Sequence, residues 1–316
     1  MFNNGIIKWL LKIMIAVTAF FLIFFSVQPF FIPIYMEDST RMVEGYSYLE
    51  KNSVEALFLG SSQMFCAVDA GNLTYKYGID SYDLGSSGQS MPMTSYYFDE
   101  AIKTQTPKIV AIEICLIFMN NSSIGEETFS YNYAPMPMSL KKFNSLHDSL
   151  NVNFKKSFEH VFIPLILYHD RWKSIQWKDI DFVFNSANQI DVQKRGYLSR
   201  EHIEKLPIAY YNGDETIKEI PEESKKAIMD IAKKCKEKKI KLLLFKAPVS
   251  NWTKGDSISV KQFALENNLE FIDLNENISE IGIDGNTDFY NKSHLNSSGA
   301  TKTTDYLASI LHFYIE

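Results

Sequence analysis

Two stretches of this chain end in the same tetrapeptide, Leu-Gly-Ser-Ser. VEALFLGSSQMFC places Ser61 and Ser62, and SYDLGSSGQS places Ser86 and Ser87. A serine hydroxyl is a weak nucleophile until a neighbouring base takes its proton, so the question is which serine has a base within reach. The candidate base comes late, in TDFYNKSHLNSSGATKTTDYL, where His294 has Asn291 three residues before it. An imidazole with a hydroxyl at one ring nitrogen and a carbonyl oxygen at the other is what acyl transfer through a serine needs. His147, His160, His169 and His202 lack ligand-like spacing and read as structural or surface residues.

Bringing Ser62 to His294 is a task for the fold. Short apolar runs at 54–60 (VEALFLG), 78–84 (GIDSYDL), 107–114 (PKIVAIEI), 239–245 (KIKLLLF) and 269–274 (LEFIDL) have the length and composition of buried strands. Helical patterns follow at 93–103, at 222–238 just after Pro221, and at 300–310. Strands alternating with helices predict an α/β fold, a flavodoxin-like three-layer sandwich with a parallel sheet of about five strands. Ligands of such sheets sit beyond the carboxyl ends of the strands. That rule favours Ser62, since Gly60-Ser61-Ser62 directly follows the first strand where a helix can begin. The second tetrapeptide, with Gly85 and Gly88 around its serines, suits backbone N–H donation. Either one alone reads equally well as a turn that ends a strand.

The amino-terminal segment has a different character. Residues 13–35 carry no charge, Lys8 and Lys12 precede them, and Glu37 and Asp38 follow. At about 1.5 Å per residue a helix here crosses a hydrocarbon core of ~30 Å, with Pro29 and Pro33 ending its regular part near Val27. The charge asymmetry places the amino terminus in the cytoplasm and the remainder outside, at the cell membrane. A cleaved signal peptide is the competing reading, but the span is long and no small-x-small site follows it. The expected organisation is a cytoplasmic tip and signal-anchor at 1–35, a juxtamembrane linker at 36–53, and one domain at 54–316 with an insertion over the crevice at about 120–221.

Composition excludes several functions. The net charge of −6 across 316 residues gives no nucleic-acid footprint. Neither a Walker-type Gly-Lys-Ser/Thr run nor a Gly-x-Gly-x-x-Gly after a strand is present, so phosphoryl or dinucleotide chemistry finds no support. The three cysteines, Cys66, Cys115 and Cys235, have no metal-ligand spacing and an odd count. Cys115 and Cys235 read as small buried hydrophobes. No metal or cofactor is expected.

Taken in order, the three blocks resemble the SGNH (GDSL-like) hydrolase superfamily. FLGSSQ is similar to its nucleophile block, with Ser62 as nucleophile and Ser61 where the family has Asp. DLGSSGQS is similar to its glycine block, which makes Gly88 an oxyanion-hole donor beside the Ser62 N–H. YNKSHLNSSGA is similar to its Asp-x-x-His block, with His294 as base. Two departures stand out. Asn291 replaces the Asp that orients the histidine, and Asp288 lies further upstream at an awkward spacing. The Gly-x-Asn-Asp turn after the third strand is missing from IEICLIFMNNSS, leaving Asn120 or Asn121 as the second oxyanion donor and Glu113 as a structural or functional acid. The resemblance implies an extracytoplasmic serine esterase or O-acyltransferase. Its anchored layout is similar to that of the D-alanine transfer protein of teichoic acid synthesis and of exopolysaccharide acyltransferases. A surface polysaccharide or teichoic-acid-like polymer is then the implied substrate and a membrane-bound O-acyltransferase the implied partner. The alternative is a catalytically degenerate scaffold or glycan-binding partner of such an enzyme.

Overall fold

Five short apolar strands form one parallel sheet: β1 (Ala56–Gly60), β2 (Ser81–Gly85), β3 (Ile109–Glu113), β4 (Lys241–Lys246) and β5 (Glu270–Asp273), in the order β2-β1-β3-β4-β5. These are the five runs expected from sequence, shifted by at most a few residues at their ends. The structure is a computed structural model and describes residues 4–32, 38–125, 128, 132–150, 154–206 and 214–315. The central strands are buried along their whole length, and Leu57, Phe58, Leu59, Val110 and Ile112 are inaccessible to solvent. Each such side chain contributes roughly 1.5–3 kcal/mol through burial.

Helices cover both faces. On one lie α3 (Ser62–Ala67), α4 (Ala70–Tyr77) and the carboxy-terminal helix Ser297–Ile315, packed on one another. On the other lie α5 (Met91–Ala101) and the helix Glu222–Lys238, which turns Ala227, Ile228, Ile231 and Cys235 into the core. Right-handed crossovers from a sheet of this order put the helices on these opposite sides. The order changes direction between β1 and β3, which marks the switch point where a crevice opens at the carboxyl ends.

Several segments differ from expectation. The stretch expected as a linker forms α2 (Asp38–Ser47), which packs on edge strand β2. There Tyr82 donates its hydroxyl to the Met42 carbonyl at 2.8 Å, and its ring meets Tyr46 edge-on. The i, i+3, i+4 spacing of Met42, Gly45 and Tyr46 was the signal, hidden in a short polar segment. Cys115 is not a buried strand residue. It lies past the end of β3 and is partly exposed, because the strand stops at Glu113.

The long insertion after β3 is helical, with α6 (Leu140–Leu150), α7 (Phe154–Phe162), α8 (Pro164–Tyr168) and α9 (Trp177–Gln189). Its first part touches the second Leu-Gly-Ser-Ser loop, where Asn132 Nδ2 donates to the Ser87 carbonyl at 2.6 Å. Its last part runs along the outer edge of β2. There the Asp83 N–H donates to the Arg195 carbonyl at 2.9 Å, and Gly196 sits where a Cβ would meet the Asp83 carbonyl oxygen at 2.0 Å.

At the amino terminus α1 (Asn4–Val27) is long and apolar enough to cross a membrane, and its apolar window has no part buried inside the protein. It ends at Val27, and a 3₁₀ turn with Pro29 follows. Proline lacks the N–H that another helical turn would use. The bend expected at Pro33 falls outside the described residues.

Candidate active site

The two tetrapeptides lie side by side. In the parallel pairing of β1 with β2, Leu59 sits opposite Leu84 and Gly60 opposite Gly85. Both glycines are required by close approach. A Cβ on Gly85 would stand 2.5 Å from the Gly60 carbonyl oxygen, and one on Gly60 would press on Glu113 and Met64. After Gly60 the chain turns at Ser61 into α3, and Ser62 opens that helix with its side chain half-exposed at the crevice.

His294 reaches the same point from the far end of the chain. A small hairpin of β6 (Phe289–Asn291) and β7 (His294–Leu295), not foreseen from sequence, holds it beside α3. Its Nε2 lies 2.7 Å from Ser62 Oγ and its Nδ1 lies 2.9 Å from Asn291 Oδ1. Proton positions follow from one backbone group. The Ser293 N–H donates to Asn291 Oδ1 at 2.9 Å, so the atom facing the imidazole is the amide oxygen. An oxygen there only accepts, so Nδ1 carries the proton and Nε2 is left with a lone pair facing the Ser62 hydroxyl. That is the tautomer a general base needs.

Electrostatics favour the same state. Loss of hydration lowers the His294 pKa from its ordinary value, and the Arg200 cation lowers it further, opposed by Glu113 and assisted by Lys246. The imidazole is thus neutral at pH 7. Asp288 takes no part. It is buried at the start of the carboxy-terminal helix, accepting from Lys302 Nζ at 2.6 Å and Ser298 Oγ at 2.7 Å. Burial alone would raise its pKa, but these partners, with Thr287 and the Asp284 N–H, hold it below the usual carboxylate value.

The oxyanion donors differ from expectation. Gly88, with φ of +70°, occupies a place where a Cβ would meet Thr128 at 2.8 Å. Its N–H, however, donates to Ser61 Oγ at 2.9 Å. Ser61, standing where the resembled family has Asp, therefore already satisfies the Gly88 N–H. The Ser62 N–H, in the first turn of α3, has no partner among the described residues and remains the open donor. Asn120 is exposed and makes no hydrogen bond to Ser62, Gly88 or His294 among the described residues. Asn121 is buried, with its N–H donated to Glu223 Oε1 at 2.5 Å. The loop after β3 turns away toward the helix Glu222–Lys238, which is why neither asparagine joins the serine.

Lys246, the partner of Glu113, escaped the sequence reading. Lys246 ends β4 and Glu113 ends β3, and the two form a buried ion pair at 2.7 Å with exposures of 1% and 0%. Glu113 also accepts the Cys115 N–H at 2.9 Å and the Ala247 N–H at 3.2 Å. Lys246 Nζ also donates to the side-chain oxygen of Gln63, the residue after Ser62, and to the Ala247 carbonyl at 3.2 Å, and stands 5.3 Å from the Trp252 ring centre. The signal was available: a lysine and a glutamate at the carboxyl ends of adjacent buried strands satisfy the rule that selected Ser62. Cys115 is no rival nucleophile, since loss of hydration and the Glu113 carboxylate push its thiol well above its ordinary pKa.

No protein-family model and no curated protein sequence matches the chain. Among solved structures it is similar to a Bacteroides fragilis protein assigned as an acylhydrolase, with 12% identity, a TM-score of 0.41, and coverage of 87% of this chain and 96% of that one. It is also similar to a GDSL-like lipase from Bacteroides thetaiotaomicron, with 12% identity, a TM-score of 0.39, and coverage of 88% of this chain and 96% of that one.

Proposed function

We propose that the chain is a membrane-anchored serine ester hydrolase or O-acyltransferase of the SGNH type, acting outside the cytoplasm on acyl esters of a cell-surface glycopolymer. The observation that carries this reading is the unbroken relay from Ser62 Oγ to His294 Nε2 and from His294 Nδ1 to Asn291 Oδ1. Ser62 Oγ attacks the ester carbonyl as its proton passes to His294 Nε2. The Ser62 N–H stabilises the tetrahedral oxyanion. Collapse breaks the bond to the leaving alkoxide, which takes the proton from Nε2–H, and an acyl-serine remains. Water or a sugar hydroxyl then gives its proton to His294, attacks the acyl carbon and restores Ser62. Asn291 holds the ring throughout but supplies no negative charge to the imidazolium, so it is a weaker support than a carboxylate.

A retained α1 argues for a tethered substrate. A polysaccharide or teichoic-acid-like polymer at the membrane surface fits, with a membrane-bound O-acyltransferase as the donor-side partner if transfer is the outcome.

A second reading, a non-catalytic scaffold or glycan-binding partner of such an enzyme, is favoured by the Gly88 N–H being bonded to Ser61 instead of standing open. A fluorophosphonate probe separates the two. In the enzyme it modifies Ser62, read as a labelled peptide by mass spectrometry, and Ser62→Ala abolishes the adduct. An unlabelled wild-type chain sinks the catalytic reading and leaves the scaffold.

The labelling rate also has an expected pH profile. The base acts only when unprotonated and its pKa is lowered, so the acid limb falls at a pH below the ordinary histidine value of about 6.5. Asn291→Asp places a carboxylate on Nδ1–H, favours the imidazolium and moves that limb upward by about 1–2 pH units. An unchanged limb in the variant would show that Asn291 does not hold the titrating base.

A further inference from the structure

Three exposed aromatic residues of the insertion, Trp172, Trp177 and Phe184, lie on or next to the elements that meet the end of α1. Gln28 bonds with the Phe162 carbonyl and the Leu165 N–H, each at 3.5 Å. Arg171 Nη1 donates to the Phe31 carbonyl at 3.0 Å, and the Phe30 ring lies 5.7 Å from that of Phe184. Helices α7, α8 and α9 are thus fastened to the last turns of the candidate span. Around those contacts Trp172, Trp177 and Phe184 are 66%, 79% and 72% exposed. Three large aromatic side chains this exposed, on elements joined to an apolar span, mark a surface with an apolar partner.

Depth along α1 identifies what covers them. Phe24, Ile163, Leu165, Ile166 and His169 line one open apolar concavity. Phe24 belongs to the span itself, and at about 1.5 Å per residue it lies roughly 9 Å further into it than Phe30. The α7–α8 corner that shares the concavity is therefore level with the span's outer end, at the boundary between headgroups and acyl chains. We infer that this face of the insertion rests in the outer leaflet of the bilayer, with Trp172 and Trp177 at the headgroup level and Ile166 in the acyl region. Tryptophan favours that level because its ring is apolar and its N–H is wet.

The inference rests on the proposed reading of α1 as a retained anchor, and it adds a second attachment. The insertion is joined to both walls of the site, through Asn132 to the Ser87 carbonyl and through the Leu198 N–H to the Phe65 carbonyl at 2.9 Å. A bilayer contact at α8 and α9 therefore fixes the height of Ser62 above the membrane, where a lipid-linked or membrane-proximal polymer would meet it. A single helix would leave the body free to swing.

Quenching by brominated lipid tests this on the full chain in nanodiscs of phosphatidylcholine brominated high on the acyl chain. The chain has four tryptophans: Trp9 in α1, Trp172 and Trp177 on the insertion, and the buried Trp252. In Trp9→Phe, the emission that disappears on further replacement of Trp172 and Trp177 by Phe is expected to be largely quenched relative to unbrominated lipid. In Trp172→Phe/Trp177→Phe, quenching of Trp9 reports the anchor. Trp9 quenched with Trp172 and Trp177 unaffected overturns the bilayer contact while leaving the anchor standing, and is what a protein partner on this face would give. Failure to quench any of the three overturns the anchor and this inference with it.

Discussion

Ser62→Ala and His294→Ala each lower kcat on an activated acyl ester by roughly 10⁴- to 10⁶-fold, and the double variant is no worse than the slower single one. The expectation follows from the geometry. With Ser62 Oγ 2.7 Å from His294 Nε2 the two act as one unit, so removing either leaves only binding and the Ser62 N–H to help water. Because the lost interactions form in the transition state, KM should change little while kcat collapses. Asn291→Ala should cost less than either, since the hairpin keeps the imidazole near Ser62 while its tautomer loses support. Steady-state kinetics on the three variants, at equal amounts of folded protein, decides the matter. Full turnover in both Ser62→Ala and His294→Ala would remove these residues from the chemistry.

Much of the arrangement is legible from residues alone because it depends on strand ends. VEALFLG and PKIVAIEI have the length and β-branched, apolar composition of buried strands, and the position of Ser62 two residues past the first of them is fixed by the local turn. His294 is harder to place, since only the hairpin around it brings it back to α3, and DFYNKSHL is too short to show strand periodicity. What sequence reading could not supply is the competition between polar groups. Nothing in DLGSSGQS reveals that the Gly88 N–H is taken by Ser61, because that bond joins two loops far apart in the chain. The course of the Asn120 loop is likewise set by packing against the helix Glu222–Lys238, not by its own composition. The insertion shows the same limit from the other side. Trp172, Trp177 and Phe184 read as scattered aromatics until the contacts of Arg171 and Phe184 with Phe31 and Phe30 tie their elements to the end of α1.

The second large effect concerns stability. Lys246→Met and Glu113→Gln should each destabilise the fold by about 3–5 kcal/mol, the usual cost of stripping one partner from a buried ion pair. Each change leaves different damage. Without Lys246, Glu113 keeps two backbone N–H donors but its charge is uncompensated at 0% exposure, and the Gln63 oxygen loses its donor. Without the Glu113 charge, the ammonium of Lys246 remains at 1% exposure beside a carbonyl, an amide and the Trp252 ring. Replacing both, as Lys246→Met with Glu113→Gln, removes both charges and should recover more than half of the loss, because the damage comes from the unpaired ion rather than from the missing attraction. Urea unfolding followed by Trp252 emission reads this locally, in a chain whose other tryptophans are Phe. The functional consequence then separates from the structural one. In the double variant, stable enough to assay, Gln63 is no longer held against β4 and the turn that presents Ser62 is loosened. Fluorophosphonate labelling should slow in that variant while the acid limb of its pH profile stays near that of the wild type, since the opposing influences of Glu113 and Lys246 on the imidazole are removed together and Asn291 still holds it. If the single variants unfold at the wild-type urea concentration, the ion pair does not brace the strand ends, and the positioning of Ser62 must come from Gly60 and the Ser61–Gly88 contact alone.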